Sequence, residues 1–133
     1  MSVDAAEGAT ILVVEDNPDN MKLFAWTLED EGYAFEGVGS AEEALEVLDR
    51  RGFDLVLMDI SLPGMDGKEA TRRLRADPRF ARLPILAVTA HAIKGEAEAI
   101  LEAGVSALVT KPIDEEALLG TIRAHLARGG ADG

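Results

Sequence analysis

The sequence predicts an α/β fold, a single domain of five parallel strands, each followed by a helix, with helices on both faces of the sheet. Three observations predict it. Short apolar runs alternate with segments of helical period five times along the 133 residues, the pattern of a parallel sheet wrapped by helices. Gly, Asn, Asp, Ser and Pro punctuate the junctions, as turns and caps require. Polar residues gather where strands end: Glu15-Asp16, Asp59, Thr89 and Lys111. Open parallel sheets carry their functional groups at those carboxyl ends.

The first strand candidate covers 10–14, where Ile11-Leu12-Val13-Val14 is unbroken apolar sequence, as in a strand buried on both faces. Asn17 then caps a helix over 18–31, with Pro18 at its first position. Met21, Phe24, Ala25 and Leu28 form its inner face, and Gly32 ends it. The second strand, 33–38, runs out blandly at Val38-Gly39-Ser40. Ser40 and Glu43 make a capping box for a helix over 40–51. Its core side is Ala41, Ala44, Leu45 and Leu48, and Gly52 follows it as a stop. The third strand, 54–58, leads into Asp59 and a turn through Ile60-Ser61-Leu62-Pro63-Gly64. A helix over 66–76 comes next, then a strand over 84–89. The fourth helix, 92–103, places Ile93, Ala97, Ile100 and Leu101 inward and stops at Gly104. The fifth strand is 106–109. Asp114 caps a last helix over 114–128, with Leu118, Ile122 and Leu126 inward. Residues 1–9 and 129–133 read as flexible tails around a domain at 10–128.

Composition narrows the function. The apolar fraction is 47% and the aromatic fraction 5%, so the core is aliphatic. There is no cysteine, which excludes disulfides and thiol chemistry and points to a reducing, cytoplasmic setting. No apolar stretch approaches the ~20 residues of a membrane span, and the amino terminus lacks a signal-peptide pattern. The net charge of −12 repels phosphates, arguing against nucleic acid and anionic membranes. Arg72, Arg73, Arg75, Arg79 and Arg82 form one basic patch, either a solvated helix face or a docking point for an acidic partner.

The strand ends carry the chemistry. Asp59 closes a buried run, so its carboxylate is either solvated or chemically employed. If the first and third strands are neighbours, Glu15, Asp16 and Asp59 converge and repel one another unless a cation neutralises them. Mg²⁺ suits a site of a few carboxylates plus water and substrate phosphate. Attack of Asp59 on phosphorus gives an acyl phosphate. Its three equatorial oxygens call for positive or donor groups, and Mg²⁺, Lys111 and Thr89 with nearby backbone N–H groups supply them. Each residue has a plainer role alone: Glu15-Asp16 as a helix cap, Asp59 as a turn residue, Lys111 as a solvated lysine, Thr89 as a strand residue. Their joint placement at four strand ends argues against coincidence.

Four segments resemble the receiver domains of bacterial two-component response regulators, the CheY-like superfamily: Ile-Leu-Val-Val-Glu15-Asp16-Asn, Leu-Met-Asp59-Ile-Ser-Leu-Pro63-Gly-Met-Asp-Gly67, Ala-Val-Thr89-Ala90 and Val-Thr-Lys111-Pro112. The similarity spans roughly residues 10–127. The stretch from Val14 to Phe24 looks closest to the DivK-type single-domain regulators. The resemblance implies a doubly wound (βα)5 sheet, flavodoxin-like, in strand order 2-1-3-4-5. It implies Asp59 as phosphoacceptor, Asp16 and the Ser61 carbonyl as direct Mg²⁺ ligands, and Glu15 as a ligand through water, with Mn²⁺ as an alternative ion. Lys111 resembles the phosphate-contacting lysine and Thr89 the hydroxyl that swings toward the phosphoryl group. The bond before Pro112 is expected to be cis.

The implied partners are a histidine kinase or histidine phosphotransfer protein and a downstream protein target. The protein is expected to be a monomeric switch rather than a conventional enzyme, with too little chain left over for a DNA-binding module. One departure is Leu108, where the family usually carries an aromatic readout residue. That keeps a constitutively binding pseudo-receiver in play. An aspartyl-nucleophile phosphatase is disfavoured, because haloacid-dehalogenase-like hydrolases carry a second Asp where this chain has Ser61. His91, two residues after Thr89, either tunes hydrolysis or is an exposed loop residue. His125 reads as surface. Trp26 falls off the inner stripe of the first helix, beside Leu23. The pair either docks a partner, such as the kinase's helical bundle, or packs partly against a neighbouring helix. Leu108 is a third docking candidate.

Overall fold

The computed structural model describes residues 9–60, 65–90 and 94–132, with the side chains of 95–126 in the last stretch. Elements run β1 (Thr10–Val14), α1 (Pro18–Asp30), β2 (Ala34–Val38), α2 (Ala41–Arg50), β3 (Leu55–Asp59), α3 (Gly67–Ala76), a 3₁₀ turn (Pro78–Phe80), β4 (Ile85–Thr89), α4 (Lys94–Ala103), β5 (Ala107–Thr110) and α5 (Glu115–Asp132). The strands form one parallel sheet in the order β2-β1-β3-β4-β5. The expected fold is therefore the observed one. It is also the order in which β1 and β3 are neighbours, with Val14 level with Met58.

Successive strand residues point to opposite faces, so the core has two layers. Leu12, Val14, Val56, Met58, Ile85 and Ala87 pack with α2, α3 and α4 through Ala44, Leu48, Ala70, Leu74 and Ile100. Ile11, Val13, Leu55, Leu57, Leu86 and Val88 pack with α1 and α5 through Phe24, Leu28, Leu118 and Ile122. Both faces are covered, which is why β1, β3 and β4 read as continuous apolar runs.

The expected caps form. Asn17 Oδ1 accepts from the Asp19 and Asn20 amides at 2.8 and 3.3 Å. Ser40 Oγ accepts from Glu43 N at 3.1 Å, while the Glu43 carboxylate reaches back to Gly39 N at 3.1 Å. Asp114 Oδ1 accepts from Ala117 N at 3.2 Å. Gly32 and Gly104 take positive φ, 90° and 114°, the conformation in which glycine closes a helix. Gly52 does not: the chain leaves α2 one residue earlier, through an extended Arg51 whose guanidinium pairs with Glu36 at 2.7 Å.

Two other expectations differ. Leu101 is 48% exposed rather than inward, while Ile100 is buried as expected and Ala103 is buried with it. Ile93 lies outside the described residues. α5 continues to Asp132, past the boundary expected at 128. Gly129 and Gly130 lower helix propensity by only about 1 kcal/mol each, and neither forms a left-handed stop.

Candidate functional site

The carboxyl edge of the sheet assembles the site because ladder bonds extend one residue beyond the strands. Glu15 N donates to Val38 O at 3.0 Å, Ile60 N to Val88 O at 3.1 Å, and Lys111 N to Thr89 O at 2.9 Å. Glu15, Asp59, Thr89 and Lys111 are thereby held at neighbouring levels of one edge. Asp59 is 4% exposed, Glu15 2% and Thr89 2%, while Asp16 faces solvent.

Glu15, Asp16 and Asp59 each offer a carboxylate oxygen, and these oxygens lie within 4.8 Å of one another. Lys111 Nζ stands 3.5 Å from Asp59 Oδ2 and 3.9 Å from Glu15 Oε1. The Lys111-Pro112 bond is cis, as expected. Glu15 Oε2 accepts from Asn17 N at 3.1 Å. Glu15 Oε1 is buried with no hydrogen-bond partner among the described residues. Burial pushes the Glu15 carboxyl above its ordinary value. The Asn17 amide and Lys111 pull it down, and the neighbouring Asp59 pushes it further up. An orphaned buried carboxylate oxygen beside two more carboxylates is a donor set of hard oxygens, which fits Mg²⁺.

The described residues flanking 61–64 are anchored by hydrogen bonds. Gly67 N donates to Ile60 O at 3.4 Å, and Met65 N to Glu42 Oε2 at 3.3 Å. A Cβ on Gly67 would sit 2.8 Å from Asp59 O and 2.9 Å from Ile60 Cδ1, so α3 can begin here only on glycine. Asp66 caps α3 by accepting from Glu69 N at 2.9 Å. The Asp66-x-x-Glu69 spacing carried that signal in sequence. Glu42 carried none, because its contact is with a residue remote along the chain.

Among the described residues, the candidates Leu23, Trp26 and Leu108, and His125 with them, lie outside this pocket. Ser61 and His91 lie outside the described residues. Leu108 is partly buried against the α2–α4 layer of the core. Leu23 is half-buried, while Trp26 is 71% exposed, which sets aside its packing against a neighbouring helix. His125 is half-buried, its Nδ1 2.9 Å from Thr121 O. The basic patch is largely neutralised in place. Arg72 and Arg73 pair with Glu69, Arg79 pairs with Asp77 and Asp49, and Arg75 donates to the carbonyls of Gly104 and Phe80. Arg72, Arg73 and Arg79 are exposed, as a solvated face requires, while Arg75 is half-buried.

No helix among the described residues is long and apolar enough to cross a membrane. The family described as response regulator receiver domain matches residues 11–123. The polar-differentiation response regulator DivK of Brucella ovis is 40% identical over 117 residues, 88% of this chain and 95% of that protein. The histidine-protein kinase BarA of Escherichia coli is 43% identical over 109 residues, 82% of this chain and 12% of that protein. Among solved structures, the receiver domain of the sensor histidine kinase PA1611 from Pseudomonas aeruginosa superposes with a TM-score of 0.85 at 36% identity, covering 90% of this chain and 98% of that one. That structure carries a magnesium ion coordinated in its active-site cleft. A profile match across most of the sheet, together with a DivK relative that aligns almost end to end, assigns the protein to the response regulator receiver domain family of two-component systems, with a DivK-like sequence.

Proposed function

We propose that this protein is the phosphoacceptor switch of a two-component phosphorelay. Asp59 takes a phosphoryl group from a phosphohistidine on a histidine kinase or a histidine phosphotransfer protein, in a Mg²⁺-dependent reaction. One observation carries the reading: a buried aspartate shares a 4.8 Å cluster with two other carboxylates and has an ammonium 3.5 Å away. Asp16 and Asp59 would hold the ion directly and Glu15 through water. The family resemblance adds the Ser61 carbonyl. When bound, Mg²⁺ offsets the clustered negative charge and polarises the phosphoryl oxygens.

Asp59 attacks as the carboxylate. Its oxygen–phosphorus bond forms as the phosphorus–nitrogen bond to the donor histidine breaks, and that electron pair leaves with the imidazole nitrogen. Lys111 holds its ammonium toward an equatorial phosphoryl oxygen, and the Thr89 hydroxyl serves another. The acyl phosphate adds charge and acceptor oxygens at one pole, biasing a two-state equilibrium of the α4-β5-α5 face and so switching protein contacts. Leu108 has no ring to rotate, so the shift runs through the backbone. The outer side of α1, with Leu23 and Trp26, docks the histidine-bearing helical bundle. We place the protein in the cytoplasm as a monomer whose −12 charge disfavours self-association.

Incubation with acetyl phosphate and Mg²⁺, followed by intact-mass analysis, tests this. The expected result is a single adduct of about 80 Da, one phosphoryl group, absent in Asp59→Asn and absent with a chelator. Leu108 favours a second reading, a constitutive binder, which predicts no adduct. Continuous turnover of the phosphodonor at an undiminished rate would instead mark a phosphatase.

A further inference from the structure

A groove of ≈ 440 Å³ runs between α1 and α5, lined by Trp26, Thr27, Glu29, Asp30, Glu115 and Leu119. Every charged residue in that lining is acidic. Its floor is tied: buried Thr27 donates from Oγ1 to Glu115 Oε2 at 2.9 Å. The neighbouring cation on α5, Arg123, is committed to Glu31 at 2.9 Å. Glu29 and Asp30 are exposed and meet no cation among the described residues. On α3 and the turn after it, by contrast, arginines already neutralise Glu69 and Asp77.

Trp26 exposes 71% of its surface at the rim of this groove. An indole face attracts a guanidinium, and carboxylates grip one in a planar fork. We infer that the α1–α5 groove docks a basic amphipathic helix of a partner protein, an arginine of that helix stacking on Trp26 between Glu29 and Asp30 while an aliphatic side chain meets Leu119. The charge argues against other occupants. A second copy of a chain with net charge −12 is repelled from an acidic groove, and so is nucleic acid. The inference deepens the docking reading of α1 and rests on it, but needs nothing from Asp59.

Trp26 is the single tryptophan of the chain, so its emission reports on the groove. The probe is an amidated peptide of about 18 residues with arginine and leucine along one helical face, since much shorter helices are marginal in water. Titrated into the full chain, it is expected to shift Trp26 emission saturably at equimolar stoichiometry. The charge-reversed pair Glu29→Lys and Asp30→Lys should weaken binding roughly tenfold, the loss typical of hot-spot contacts. The pair Glu98→Lys and Glu102→Lys on α4, which changes net charge equally, should leave binding within about twofold at physiological salt, where remote charges are screened. A titration without saturation overturns the inference. So does an equal loss in both double variants, which would mean general attraction to an acidic protein. Acetyl phosphate labelling separates the two proposals. Labelling retained in the Glu29/Asp30 variant while binding is lost supports the groove. If the unaltered chain fails to label, the phosphoacceptor reading falls and the peptide titration still decides the groove.

Discussion

Lys111 Nζ pairs with Asp59 Oδ2 at 3.5 Å across the intervening strand β4, so the residue after β5 reaches the end of β3. The ammonium and a divalent cation compete to neutralise the same carboxylates. Lys111→Ala is therefore expected to bind Mg²⁺ more tightly than the unaltered protein, measured by calorimetry. The same variant should accept phosphate from acetyl phosphate about 10²-fold more slowly, the usual effect of removing one preorganised donor. Unchanged phosphorylation kinetics would remove Lys111 from the proposed chemistry.

Glu15 links stability to pH. Burial raises its carboxyl above the ordinary 4.5, so the folded state binds a proton that the unfolded chain has released. Its favourable contribution is complete below 4.5 and is lost as pH rises through the raised value. In the absence of divalent ions, Glu15→Gln should therefore melt higher than the unaltered protein at neutral pH. That advantage should shrink as pH falls toward 4.5. With saturating Mg²⁺ the order should narrow or reverse, because a ligand stabilises the state that binds it. Parallel melting curves at all pH values would contradict the assignment.

Two glycines should respond with opposite sign. Gly67→Ala places a Cβ 2.8 Å from the Asp59 carbonyl, a backbone atom that cannot step aside. It should lose about 1–3 kcal/mol, as overpacking does, and slow phosphorylation by disturbing the strand end. Gly120 lies within α5 with nothing inside 4 Å of its added Cβ, so Gly120→Ala should gain up to about 1 kcal/mol from helix propensity. Denaturant midpoints check both.

Trp26 lies in the α1–α5 groove, not in the acidic pocket. Mg²⁺ should leave its emission nearly unchanged. Trp26→Ala should fold normally, label with acetyl phosphate at the usual rate, and accept phosphate from its cognate kinase roughly tenfold more slowly, as loss of an aromatic hot spot would cause. Kinase transfer at the original rate would set the docking role aside.

Much of this was legible in the chain. Strand bounds follow from short continuous apolar runs and helix bounds from a period of 3.6, and the caps at Asn17, Ser40 and Asp114 follow from local side-chain bonds to nearby amides. Where the reading slipped, distant packing had chosen between locally equal options. Ile100 and Leu101 both fall on the inner stripe by spacing, but only Ile100 is buried in the core layer that includes α3. Arg75 reads as one more surface arginine, yet it donates to Gly104 O at 2.8 Å and Phe80 O at 2.7 Å, half-buried beneath the turn. Thr27 reads as an ordinary helical threonine, yet it meets Glu115 from the far end of the chain.

The residues able to do chemistry, and their positions at the tips of strands, were set by sequence-local forces: alternating apolar pattern, turn residues and caps act over a few neighbours. Their proximity was not. Segments separated by dozens of residues pair according to which order buries the most apolar surface on both sheet faces, and that choice put β1 beside β3 and Glu15 and Asp16 beside Asp59. The same packing left Trp26 uncovered above a row of carboxylates, because α5 crosses α1 through Thr27 and Glu31 and passes the indole by.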